Sequence, residues 1–359
     1  CLIMRYNGSI NGVQNNSSPT SSPGMWSIND VQENLVDANW PGDGTASFEY
    51  LLVGGGGGGG GGVTTDACGG GGGGGQVLSG TGPIDLLTYY AITVGQGGSS
   101  GNGFSSGYDG STTSFSQSGG GGGNFSAEAI GGGAGQGVNA PSSNTPFANG
   151  GGGCNKSNTT GRAGINYTGG DGQNTNAKGG AGGGAGAGGN GSDGTAGGNG
   201  GNGGNGFLST ITGANVYYGA GGGGGSNAGS GGAGGAVGGG PGGSAPDGGT
   251  TSTEDTGERA TVRSTGCGGG GAAVWGGSPS KYANGAPGEN GCVILKYPNV
   301  YDISINAYGH GQGNGGPNSP VGVTVKNHPD GVHKVATFIS GNQPSFYWVK
   351  SASISTREI

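Results

Sequence analysis

The stretch Gly188–Gly206 reads GGNGSDGTAGGNGGNGGNG, and glycine falls at every third position: Gly188, Gly191, Gly194, Gly197, Gly200, Gly203 and Gly206. A period of three belongs to neither an α-helix nor a β-strand. It is the period of left-handed polyproline II-type backbone, which makes no internal hydrogen bonds. Such a backbone must send its N–H and C=O groups to neighbouring segments or to water. Without a Cβ on one face, other extended segments can approach closely enough to take those bonds. These seven glycines therefore predict a structural rod bonded backbone to backbone. At about 3.1 Å per residue, Gly54–Gly62 as a rod would reach roughly 28 Å and Gly188–Gly206 roughly 59 Å.

Outward from this stretch, glycine fills 104 of 359 positions and proline 15. Without a period, that composition signals low-complexity disorder, and ordering glycine carries the largest entropic cost of any residue. An ordered chain of this kind needs a dense lattice of hydrogen bonds between segments. Collagen is excluded, because the triplet spans only seven glycines, contains no proline, and gives way elsewhere to uninterrupted runs at Gly54–Gly62 and Gly69–Gly75. Charged residues are 9% of the chain and the net charge is −7, so no basic patch is available for nucleic acid. Apolar residues are 29%, too few for one large conventional core, so apolar burial is expected to be local. No apolar run approaches the roughly 18 residues of a membrane-spanning helix, so membrane insertion is not expected. The chain begins at Cys1 rather than Met, which suggests a processed chain or a piece of a longer one.

The sequence divides into three parts. Residues 1–46 are a lead-in, with linker chemistry at Asn15–Gly24 and near-helical spacing of Ile28, Val31, Leu35 and Val36 before Pro41. Residues 47–298 are the glycine-rich module. It opens on SFEYLLV (Ser47–Val53) and closes on CVILKYP (Cys292–Pro298), both of strand composition and expected to pair. Apolar interruptions at Ile84–Gly95, Asn205–Gly219 and Glu258–Gly266 predict a small β core at one end, from which glycine segments run out and back. Residues 299–359 alternate apolar and polar residues over Val300–Tyr308, Val321–Lys326, Val332–Ser340 and Ser345–Lys350, with HPDG (His328–Gly331) as a hairpin turn. They form a small all-β module that, at about 60 residues, is marginal alone and is expected to lean on a neighbour or an oligomer partner. The predicted fold class is thus mostly β and irregular: a bundle of polyglycine II helices closed by terminal strands, plus this C-terminal module.

Little in the chain points to catalysis, and no cofactor is expected. LLVGGGGGGGGGV offers a strand before glycines but neither the following helix nor the Lys of a phosphate loop. The five cysteines, Cys1, Cys68, Cys154, Cys267 and Cys292, lack CxxC spacing, which argues against zinc. They are either cross-links between segments or small buried apolar residues. His328 and His333 flank a turn with Asp330 between them, but ordinary surface histidines are the simpler reading, and no metal site is expected. Binding is better served by the aromatics between glycine tracts: Phe104, Tyr108, Phe147, Tyr217, Tyr218, Trp275 and Tyr282. The alternative for these rings is that they cap rod ends and fill gaps in the lattice.

FEYLLVGGGGGGGGG, then YYAITVGQGG, long Gly/Asn/Ala tracts and CVILKYP resemble the glycine-rich module of bacteriophage tail-fibre and virion appendage proteins. GMWSINDVQENLVDANWPG is similar to the segment that precedes it in such proteins, so the resemblance covers residues 24–298. A related region occurs in the anaplastic lymphoma and leukocyte receptor kinases. The resemblance implies a rigid fibre or adhesin on the virion surface, assembling with itself as a trimer and presenting loops to a host-surface glycan. The second expectation is a self-assembling extracellular filament or cell-surface subunit, whose terminal parts dock onto the next copy. An ice-binding bundle is disfavoured by the bulky interruptions.

Overall fold

The computed structural model of the protein describes residues 46–63, 67–86, 88–118, 125–139, 146–156, 158–175, 178–236, 238–240, 253–275, 282–306, 322–339 and 345–351. The lead-in, including its expected short helix, lies outside them. Among the described residues the backbone is strand and irregular, without a helix.

Ten strands form two antiparallel five-stranded sheets. The first runs Val323–Asn327, His333–Phe338, Cys292–Pro298, Ser47–Val53, Val77–Pro83. The second runs Tyr301–Asn306, Ser345–Lys350, Tyr89–Thr93, Thr113–Ser118, Ser126–Ala129. The opening and closing strands pair as their composition predicts, with Glu49 opposite Lys296 and Val53 opposite Cys292. Period-two alternation turns Phe48 and Leu52 inward to meet Val293, Leu295, Tyr297 and Phe338, against Tyr90, Ile92, Phe115, Phe346 and Trp348 of the other sheet. The alternate residues Leu51, Val53, Cys292 and Ile294 are buried as well, against Tyr218 and Val335. Both faces of this sheet are therefore covered locally, which is why FEYLLV and CVIL read as near-continuous apolar runs.

The residues after Pro298 supply four strands where alternation predicts them, and HPDG closes the hairpin between two of them, with Gly331 at φ 75°. These four strands form two pairs rather than a sheet of their own, and each pair extends a sheet built by earlier strands. His333–Phe338 pairs with the closing strand of the glycine-rich region, and Ser345–Lys350 pairs with Tyr89–Thr93. A piece of this size is marginal alone, and here it completes a core that the earlier strands begin.

Glycine segments continue directly from these strands, and the bonding changes where the side chains stop. A strand bonds in a plane to two neighbours; Gly54–Gly61 bonds to six. Gly54, Gly57 and Gly60 donate to the carbonyls of Gln76, Gly73 and Gly70 at 2.9, 2.8 and 2.9 Å. Gly55, Gly58 and Gly61 donate to Ser111, Tyr108 and Ser105, and Gly56 and Gly59 donate to Glu289 and Ala286. In return, the carbonyls of this segment accept from Gly98 and Gly101, Gly132 and Gly135, and Gly269 and Ala272. Gly69–Gln76 behaves alike: its N–H groups serve Ala272, Gln136 and Gly182, then Gly269, Gly133 and Ala185, before returning to Gly266 and Ile130. Each segment thus turns its donors through three neighbours every three residues.

Where a segment lies at the edge, a side chain supplies the acceptor. The Oδ1 atoms of Asn199, Asn202 and Asn205 accept from the backbone N–H of Ser230, Ala233 and Ala236 at 3.1, 2.9 and 3.2 Å. The triplet GGN is therefore an asparagine ladder as well as a glycine repeat. Asn190 and Asp193, also three apart, do the same for Thr168 and Asp171.

Two expectations need correction. Gly188–Gly206 is not one 59 Å rod. It turns at Ala196–Gly198, where Gly198 has φ 114° and donates to Thr195, and the two arms meet through Thr195 to Asn199, Ser192 to Asn202 and Gly188 to Asn205. Gly197 consequently stands in the turn, where a Cβ would meet nothing, whereas at Gly191, Gly194, Gly200 and Gly203 it would strike a neighbouring carbonyl. Glu258–Gly266 contributes no strand; it is irregular and ends at Gly266, at φ 68°. Conversely, Thr113–Ser118 (TSFSQS) and Ser126–Ala129 (SAEA) are strands that their small and polar residues conceal.

Candidate binding groove

The aromatic candidates separate by burial. Tyr218 is only 4% exposed and packs in the cluster of Leu51, Val53 and Ile294, so it is a core residue and not a binding one. Desolvation pushes its phenol well above the ordinary range. Tyr217 is half-buried on the same hairpin, and Phe147 is buried. Trp275 ends the strand Ala273–Trp275, opposite Thr253. Phe104 and Tyr282, both exposed, meet edge to face at 5.8 Å between ring centroids. Tyr108, at 67% the most exposed aromatic ring among the described residues, stands four residues further along the segment that holds Phe104.

Tyr108 lies on an open groove of about 370 Å³, lined also by Ser105, Ser106, Asp109, Gln136, Asn139 and Arg162. Its walls follow from edge bonding. The segment through Ser105–Asp109 bonds to the segment through Ala134–Asn139, with Gly107 N–H donating to the Gly135 carbonyl at 3.0 Å. Ser106 Oγ and Asp109 Oδ1, three residues apart, accept from Gly137 and Ala134 at 3.0 and 2.7 Å. Arg162 enters from a third segment. Its guanidinium lies 4.0 Å from the centroid of Phe147, donates from Nη1 to Asp109 Oδ1 at 2.6 Å, and reaches the Ala134 carbonyl at 3.3 Å. The Arg162 side chain is only 11% exposed, so stacking and the ion pair fix it in place. Gln136 Nε2 donates to the Thr160 carbonyl at 3.1 Å. The result is a rigid, mutually neutralised polar floor beside one exposed ring. No histidine or cysteine lines it.

Sequence reasoning found Phe104, Tyr108 and Tyr282 but missed Asp109, Gln136, Asn139 and Arg162. The available signal was faint: single opposite charges in GYDG and TGRAG, inside tracts otherwise nearly uncharged.

The turn at His328–His333 is held by Asp330. Asp330 Oδ2 lies 2.9 Å from His328 Nδ1 and 2.7 Å from His333 Nδ1, while Asp330 Oδ1 accepts from the backbone of Val332 and His333. Partial desolvation opposes ionisation of this carboxyl, but the Val332 N–H and the His333 ring outweigh it and hold the group well below the usual carboxylate range. Among the described residues no group of three or more His, Cys, Asp or Glu side chains is arranged for a metal ion.

Cys68, Cys154, Cys267 and Cys292 are buried between segments, and Cys154, Cys267 and Cys292 are free thiols. Desolvation pushes Cys292 up to about 12 and Cys154 up to about 11, and raises Cys267 as well. The thiolate is the reactive form, so at pH 8 iodoacetamide is expected to leave Cys154, Cys267 and Cys292 unmodified in the native protein and to alkylate all three in denaturant, as read by peptide mass mapping. Rapid native labelling would overturn this. A thiol whose folded pKa exceeds its unfolded value of 9.0 holds its proton longer in the folded state. Its contribution to stability is therefore complete below pH 9 and is lost as pH rises towards 11–12, so melting temperature should fall across that window.

A family model described as a glycine-rich domain matches residues 36–298. No curated protein matches the chain.

Proposed function

The chain belongs to the glycine-rich domain family, and from that premise we propose that its glycine segments are polyglycine II helices forming the rigid scaffold of a fibre or adhesin on a phage virion. The observation that carries the scaffold reading is the three-residue rotation of hydrogen bonds around Gly54–Gly61 and Gly69–Gln76. Such a lattice resists bending in every direction across its axis, because each segment is tied on all sides, whereas a sheet is tied only in its plane. A support that holds a binding surface away from a particle needs that property. The virion assignment draws on the likeness of the opening strand, glycine run and closing strand to tail-fibre modules. In this reading the protein is a virion-surface trimer without catalytic activity, and its ligand is a host glycan.

A self-assembling extracellular filament is the second reading, favoured by one observation. Val323–Asn327 is a sheet-edge strand with Thr324, Val325 and Lys326 all exposed, and it could accept a strand from another copy.

Immunogold electron microscopy of the source material with antibody raised against the protein separates the two. Label confined to tail or capsid appendages of phage particles supports the virion reading. Label spaced along cell-attached or free filaments would replace it with assembly as the function.

A further inference from the structure

We infer that the groove between Tyr108, Gln136, Asn139 and the Asp109–Arg162 pair binds an uncharged hexose-sized sugar, with the Tyr108 ring as its stacking platform. This deepens the adhesin reading and rests on it for the source of the sugar, a cell-surface glycan. Four features point to this class of ligand. A volume near 370 Å³ suits one or two pyranose rings, and the site is an open groove, so a longer chain can leave it at either end. Tyr108 is two-thirds exposed on a backbone that is itself fixed, its N–H donating to Ser99 and its carbonyl accepting from Gly58, both at 2.9 Å. A ring held this way loses little freedom on stacking against the apolar C–H face of a sugar. The same groove is lined by hydroxyl, amide and carboxylate groups able to bond a set of sugar hydroxyls. Finally, the charge in the groove is internally cancelled: Asp109 and Arg162 are paired at 2.6 Å, and Phe147 and the Ala134 carbonyl hold the guanidinium in place. An anionic sugar would have to compete with Asp109 for that guanidinium, so uncharged sugars are preferred.

The test is saturation-transfer NMR and titration of the full chain against the methyl glycosides of mannose, glucose, galactose and N-acetylglucosamine, with methyl glucuronide as the charged comparison. At least one neutral glycoside is expected to bind in the millimolar range. Tyr108→Ala should weaken it by about tenfold, while Tyr108→Phe and the distant surface variant Leu208→Ala should not. Because only an exposed ring is removed, Tyr108→Ala should melt like the parent, so a loss of binding cannot be a loss of fold. No transfer to any neutral glycoside, affinity unaltered in Tyr108→Ala, or equal binding of the glucuronide would each overturn the inference. Adsorption of labelled protein to bacterial cells tests the parent reading separately. Cell binding that is indifferent to Tyr108→Ala would leave the adhesin reading standing and remove the groove. Glycoside binding lost in Tyr108→Ala without any cell adsorption would do the reverse.

Discussion

Valine at Gly57 is expected to be severely destabilising, lowering both the yield of folded protein and its melting temperature. Gly57 lies at the centre of the lattice, where its N–H donates to Gly73 at 2.8 Å and its carbonyl accepts from Gly269 at 3.0 Å. A Cβ there would collide with the carbonyl of Gly133. Backbone cannot rotate aside as a side chain can, and the Gly133 carbonyl accepts from Gly73, so relief in one place breaks a bond in another. The cost should exceed about 4 kcal/mol, a size reached by few single substitutions, against a total stability of about 5–15 kcal/mol. Soluble yield and thermal melting measure it. Gly200→Val and Gly203→Val, at the edge, strike Gly224 and Gly221 and should cost about 1–3 kcal/mol. Gly197→Ala belongs to the same triplet but meets nothing, and its φ is not positive, so it should be neutral or stabilising by about 0.4–1 kcal/mol. If Gly57→Val melted like the parent, the tight packing of backbone on backbone would be wrong.

Trp348→Ala should cost about 3–5 kcal/mol, the range for deleting a large buried aromatic. The ring is 1% exposed and lies 4.9 Å from Tyr297, 5.4 Å from Phe346 and 5.6 Å from Phe48, joining both sheets. Its effect should reach beyond the sandwich. Ser47–Val53, Val77–Pro83, Thr113–Ser118 and Cys292–Pro298 each run directly into or out of a glycine segment, so loosening the sheets should release the register of the lattice they anchor. Amide exchange at Gly54–Gly61 should therefore accelerate in Trp348→Ala, although these glycines lie outside the aromatic cluster. Unchanged glycine protection in a destabilised variant would mean that the lattice holds its own register.

How far the sequence was legible follows from which interactions are local. The pairing of Ser47–Val53 with Cys292–Pro298, the hairpin at His328–Gly331 and the four C-terminal strands were readable, because alternation and turn chemistry are written in adjacent residues. The fold of Gly188–Gly206 was not. Its seven glycines repeat without a break, yet the chain turns at Gly198, which is not one of them, and nothing in the triplet marks that position for a positive φ. Thr113–Ser118 was also hidden, because Phe115 is the one large apolar side chain it places in the core, against rings that arrive from Phe48 and Phe346. Of the groove, exposure of Tyr108 was anticipated, whereas the pairing of Asp109 with Arg162 spans 53 residues and has no local sign. Tyr218 is a binding candidate by its place between glycine tracts, yet it belongs to the β core that the apolar interruption Asn205–Gly219 predicts, packed against Leu51, Val53 and Ile294.

The asparagine ladder has a consequence for how the molecule ages. Asn-Gly sequences are the most prone to deamidation, because the glycine nitrogen can attack the side-chain amide carbon and close a succinimide. At Asn202–Gly203 both participants are occupied: the amide oxygen accepts from Ala233 N–H, and Gly203 N–H donates to the Ala233 carbonyl, each at 2.9 Å. Asn199–Gly200 is held the same way by Ser230. Cyclisation would require both bonds to break and the segment to leave its neighbours. Mass spectra of protein stored at mildly alkaline pH should show these asparagines converting far more slowly in the native chain than in the unfolded one, and equal rates would sink the idea. A repeat that is chemically fragile as free peptide is thus shielded once folded, and its shelf life is set by the rate at which the lattice opens.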